Sequence, residues 1–180
     1  MAFKEVKVEL GWGPAKASGT WVPDENERAA AWELYVELVT RIAVAPLEDG
    51  QGTLREALTS LHQLFAITRD ILRRHGPGVA RKPRRGRYRF GYLAVWILNA
   101  AVRPTLSQWH PELQRWEAQR PATLSVAEHE QQWPKSAELR RELERLRHLL
   151  LAYARVLAKV CEAPALIQAT DDIASVHRSP

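Results

Sequence analysis

The feature that most constrains this chain is a seam near its C-terminal end. Between Pro134 and Pro164, Leu139, Leu143, Leu146, Leu150, Tyr153, Leu157 and Val160 recur at alternating spacings of four and three. That is the heptad period, in which one face of a long helix is apolar and must be covered by another helix. Arg140, Arg141, Glu142, Glu144, Arg145 and Arg147 fill the polar side. A cover is available within the chain, because Leu54, Leu58, Leu61, Phe65, Thr68 and Leu72 repeat fours and threes between Thr53 and Gly76-Pro77, with Glu56 completing a capping box. Seams of similar length can bury one another, so a monomeric bundle is a simpler expectation than a coiled-coil dimer.

Two more helices are legible. Asp24, with Glu27 three residues on, opens a helix whose Trp32, Tyr35, Val36, Val39, Ile42 and Ala43 share a face up to Pro46. Tyr88 to Arg103 contains Tyr92-Leu93-Ala94-Val95-Trp96-Ile97-Leu98, apolar on every side, and is expected to be the central helix; it is too short to span a bilayer. After Pro104 the pattern breaks into a turn, a short helix with Pro111 at its first position carrying Leu113 and Trp116, and another opened by Ser125 and Glu128. The expected fold class is all-α: a four-helix bundle with extra short helices over residues 23–163, carrying a basic loop at 76–87. Residues 1–22 read as an extended N-terminal arm. Val6, Val8 and Leu10 alternate with charge, whereas Gly11 to Thr20 carries no second strand pattern. The arm packs Trp12 and Trp21 on the helical body, or adds a strand to a sheet in another chain. Residues 164–180 read as a partly disordered tail.

With 180 residues, one cysteine and one methionine, the chain has no disulfide framework, and it shows neither an apolar leader after Met1 nor an uncharged apolar run of spanning length. A cytoplasmic protein without membrane contact is the expectation. Its charge is polarised. Between Ile71 and Pro111 there is no Asp or Glu, yet nine of the 26 basic residues lie there: Arg73, Arg74, Arg81, Lys82, Arg84, Arg85, Arg87, Arg89 and Arg103. The rest of the chain keeps 17 basic against 21 acidic residues, a net charge of −4 beside a segment of +9. Such a segment attracts polyanions or an acidic protein face, with strong dependence on salt.

No constellation for nucleotide, zinc or di-iron chemistry is present: Gly11-x-Gly13 lacks the Gly-Lys-Ser/Thr of a phosphate loop, Cys161 stands alone, and no Glu-x-x-His pair occurs. No cofactor is expected. Arg69-Asp70-Ile71-Leu72-Arg73-Arg74-His75 resembles the Arg-polar-spaced-His signature of HEPN ribonucleases, all-helical enzymes in which the Arg and His act on the scissile phosphate. Arg55/His62, Arg69/His75, Arg103/His110 and Arg141/His148 all stand at permitted spacings, where about two pairs arise by chance, and of these only Arg69 is followed by Asp. As ordinary residues, Arg69 and His75 complement the dipole at a helix C-terminus. His62 reads as a boundary histidine, and His110, between Trp109 and Pro111, as part of a packed corner.

The stretch Arg103 to Glu117, together with Ala31 to Ile42, resembles a group of small uncharacterised bacterial helical proteins that accompany conflict or defence genes, over roughly residues 21–160. The resemblance implies a bacterial origin and a subunit of a multi-gene system. The sequence therefore points to a non-enzymatic adaptor or accessory subunit. It binds a larger protein partner, or an acidic protein surface, through Arg81, Lys82, Arg84, Arg85, Arg87 and Arg89 and through the N-terminal arm. Direct binding of single-stranded RNA or DNA is the alternative, with Tyr88 and Phe90 as stacking faces for bases, and a ribonuclease using Arg69 and His75 is a third.

Overall fold

The computed structural model describes residues 4–41, 52–81 and 86–169. Ile42, Ala43, Lys82, Arg84, Arg85 and the tail from residue 170 lie outside them. Among the described residues the chain is mostly helical with a small three-stranded sheet. No helix there is long and apolar enough to cross a membrane.

The N-terminal segment departs from the expected lone arm. Strand β1 (Val6–Trp12) pairs antiparallel with β2 (Ala15–Trp21), from Val6 opposite Trp21 to Trp12 opposite Ala15. Gly13, at φ 54°, takes the first place in the two-residue turn and Pro14 the second, the order that type II′ turns favour. Val6, Val8 and Leu10 face inward, Trp21 is fully buried, and the half-buried Trp12 ring lies under Arg145, 5.2 Å from its guanidinium. The second strand escapes sequence reading because Ala15-Lys16-Ala17-Ser18-Gly19 has little β propensity. Its glycine is required by what passes over it. A Cβ on Gly19 would overlap the Gly86 carbonyl and lie 2.8 Å from the Tyr88 ring, and there β3 (Arg87–Tyr88) joins β2 in parallel, with Thr20 N–H donating to Gly86 O at 3.1 Å.

Helix α1 (Glu25–Val39) starts at the expected Asp24/Glu27 capping box, and α2 (Leu54–His75) at Thr53/Glu56. The phase of α1 differs from expectation: Ala30, Ala31, Leu34, Tyr35 and Leu38 are buried, while Trp32 is 44% exposed. Apolar residues surround this helix, so their spacing alone leaves its phase open. The small Ala30 and Ala31 let the helix approach its neighbour closely.

Pro104 does not break the chain, and Pro111 does not start a helix. Helix α3 (Phe90–Ile97) runs through a π-helical turn, Leu98–Val102, into α4 (Arg103–Glu117). In that turn Arg103 N–H bonds to the Leu98 carbonyl five residues back. The wider turn accommodates a proline ring that a regular helix would drive against the carbonyl four residues earlier. Pro111 lies inside α4, held by the buried Trp109 and Leu113. Helix α5 (Val126–Gln131) opens at the expected Ser125/Glu128 box. Trp109 meets Trp133 edge-on at 6.1 Å, and Trp116 stacks on His129 at 4.6 Å.

Helix α6 (Ser136–Cys161) buries every residue of the predicted seam, and also Leu149, Leu151, Ala154, Val156 and Ala158. It packs against α1 and β1, so α6 rather than α3 is the central element. Beyond it, Ile167 is buried and its N–H donates to Tyr35 Oη at 2.8 Å, which docks the first part of the tail.

Candidate interaction surface

The basic segment divides into arginines committed within the fold and arginines that are not. Glu27 is fully buried on the core face of α1, where it accepts the Asp24 N–H at 3.2 Å, the Phe90 N–H at 2.9 Å and Arg89 at 2.8 Å. One carboxylate thus caps the starts of α1 and α3, and Arg89 neutralises it while also reaching Asp24 at 3.4 Å. Arg89 belongs to the scaffold. Arg74 pairs with Glu33, Arg73 lies 3.8 Å from Asp70, and Arg103 bonds Asn99 while covering the Phe65 ring at 5.0 Å. Arg81 and Arg87 are exposed and have no ion-pair partner among the described residues. They flank the segment containing Lys82, Arg84 and Arg85.

The aromatic residues beside them sort differently from expectation. Phe90 is fully buried, 6.3 Å from the Trp21 ring, and offers no face to a ligand. Tyr88 is half-buried with its hydroxyl donating to Ser18 O at 3.4 Å, and its ring lies 5.5 Å from that of Tyr92. Tyr92, at 45% exposure, and Val95, at 41%, form an outer face of α3 that reading the whole run as core had placed inside. Their spacing of three and the inward Leu93, Ala94 and Ile97 on the opposite side are the signal that could have found them.

This face borders a groove of about 580 Å³ lined by Ala80, Arg81, Gly91, Tyr92, Val95 and Trp96, with Asn99 and Ala100 of the π turn at one end. Gly91 sets its floor. A Cβ there would meet Ala80 Cβ at 2.9 Å and the Val79 carbonyl at 3.1 Å, so only glycine lets the short turn Pro77–Ala80 close against α3.

Arg69 is exposed and His75 points to α1, where Nδ1 lies 2.7 Å from Asn26 Oδ1 and Nε2 lies 2.9 Å from Glu33 Oε1. Six residues apart on one helix, the two side chains leave it about 120° apart, so the helix does not bring them onto one face. His62 and His110 stack at 6.0 Å between α2 and α4. Burial lowers the His110 pKa, and the Arg55 guanidinium and His62 push it the same way. Arg55 itself makes a bidentate pair with Glu117 at 3.0 and 2.6 Å. Burial pushes the Cys161 thiol up to about 11, the reverse of what a nucleophile needs. Among the described residues no three His, Cys, Asp or Glu side chains are grouped to hold a metal ion. Comparison with protein-family models, with curated proteins and with solved structures finds no match.

Proposed function

We propose that this chain is a non-enzymatic helical accessory subunit that docks on an acidic face of a larger protein through the surface between Arg81 and Arg87. The observation that carries this reading is that these two arginines stay unpaired among the described residues, Arg81 sharing a groove with the exposed Tyr92 and Val95, while their neighbours Arg74, Arg89 and Arg103 are used internally. Charge held out of intramolecular pairs next to uncovered apolar surface is the make-up of a binding patch. The N-terminal segment supports it indirectly: in place of a free strand donor it supplies the hairpin on which Gly86 and Arg87 are pinned. We read α1, α2, the α3–α4 rod and α6 as a four-helix bundle presenting this patch. From the resemblance of residues 31–42 and 103–117 we further propose that the subunit serves a bacterial defence system.

The test is recovery of partner from a lysate of the source cells at low and high salt, comparing wild type with a chain whose 81–87 basic residues are changed to glutamate. Recovery that falls at high salt and is lost with charge reversal is expected; unchanged recovery removes the loop from the interface. Tyr88 and Tyr92 beside Arg87 favour single-stranded nucleic acid as the second reading. A mobility shift with a single-stranded oligonucleotide at about 50 mM salt, fading as salt rises, is its expected sign.

A further inference from the structure

Resting on that reading of the Arg81–Arg87 surface, we infer that the groove on α3 receives a large apolar side chain from an acidic peptide segment of the partner. The groove's shape admits it: at about 580 Å³ it is larger than an aromatic side chain, and its walls are Tyr92, Val95 and Trp96. The floor is already built, because Gly91 brings Ala80 against α3 as closely as backbone allows. A pocket formed before binding loses little freedom when filled.

Charge complementarity selects the partner's chemistry. Arg81 is the only ionisable group among the described lining residues, apart from the tyrosine hydroxyl. Arg87 precedes Tyr88 on β3, and the Tyr88 ring lies 5.5 Å from that of Tyr92. No carboxylate occurs anywhere between Ile71 and Pro111, the stretch that builds the groove, so nothing in it answers a basic segment, and the arginines would repel one. A carboxylate-bearing segment meets Arg81 at the rim while its aromatic or branched side chain fills the groove. Charge alone would suit nucleic acid equally. The apolar wall decides against it: Val95 and Ala100 lie beside the rings, and a base edge entering there would leave its hydrogen-bonding groups unpaired.

The experiment is selection of a random twelve-residue peptide library displayed on phage against the immobilised full chain, with Val95→Asp and Tyr92→Ala as parallel targets. Both positions are exposed, and unchanged thermal melting verifies that the variants fold. Selected peptides should be enriched in Asp and Glu around one aromatic or leucine. Synthesised, they should bind Val95→Asp at least about tenfold more weakly, the loss of one apolar side chain's burial. Two outcomes overturn the proposal: a consensus without acidic residues or no consensus; or binding indifferent to Val95→Asp and Tyr92→Ala. Binding of a twelve-nucleotide oligothymidylate that Tyr92→Ala abolishes would also overturn it, in favour of nucleic acid. Failure here is separable from failure of the wider reading. Partner recovery lost on charge reversal but indifferent to Val95→Asp keeps the basic surface and removes the groove, whereas indifference to both removes both.

Discussion

Arg89 and Arg81 sit eight residues apart in the same carboxylate-free stretch, and their surroundings give them different work. Arg89 faces a carboxylate with no access to water, so its removal leaves Glu27 charged and buried; Arg81 faces solvent. We expect Arg89→Met to lower the stability measured by urea unfolding by about 3 kcal/mol, and Arg81→Met to change it by less than about 0.5. Equal effects would mean that Glu27 does not depend on Arg89. His110 makes a second residue-scale prediction. Its folded pKa lies below the ordinary 6.5, held there by burial first and then by Arg55 and His62. Above 6.5 both folded and unfolded chains carry it neutral and stability does not respond to pH through this group. As pH falls below 6.5 the unfolded chain takes the proton first, so stability drops until the folded pKa is passed. Thermal melting between pH 7 and 5 should therefore fall less steeply for His110→Gln than for wild type.

At the scale of elements, the contact between β2 and β3 is the joint that holds one end of the basic loop. It depends on the absence of a side chain at Gly19, over which Gly86 and Tyr88 pass. Gly19→Ala should push β3 off the hairpin while leaving the β1–β2 pairing intact. Limited trypsin digestion is the measurement: cleavage after the arginines of residues 81–87 should accelerate severalfold in the variant, and an unchanged rate would show that the joint does not hold the loop. Such a joint cannot be read from a list of residues, because it consists of a distance between two segments 67 positions apart. What can be read is local. All three capping boxes found by spacing, Asp24/Glu27, Thr53/Glu56 and Ser125/Glu128, form as expected, because a cap is satisfied within four residues. The continuity of α3 with α4 was not legible: Pro104 signals a stop in any regular helix, and only the π turn before it removes the clash.

For the whole molecule, the buried set follows the long seam closely and the surface does not. Leu139 to Val160 lies inside throughout, since a heptad stripe has one way to face a core. Tyr92 and Val95 escaped the same logic, because an apolar residue on a short, evenly apolar helix carries no mark of which neighbours will cover it. The candidate site was accordingly half legible, its charge visible in composition and its groove not. Because the α6 seam is covered by the chain's own elements, its stability should be independent of association. Leu150→Ala should cost about 2–5 kcal/mol, with wild-type and variant melting temperatures unchanged over a hundredfold range of protein concentration. A melting temperature rising with concentration would make the seam an interface between copies.

The π turn has one more consequence, which concerns insertion and deletion. Along the rod from α3 to α4, the buried residues Leu93, Ile97, Ala101, Thr105, Trp109 and Leu113 follow one another at strict intervals of four. In a regular α-helix each such step advances about 40° around the axis, so five of them would carry the stripe to the far side. The π turn absorbs part of that drift, as a helix does when one surplus residue has been spliced into it. Removing Ala100 would restore a spacing of three in the middle of the run and bring the stripe back to an ordinary helical frame. A chain lacking Ala100 and carrying Pro104→Ala should then fold with unchanged helical circular dichroism and bind the selected peptides poorly. The surplus residue would in that case be an acquisition serving the outer face of the rod, where Asn99 and Ala100 line the groove, while the core on the inner face could do without it.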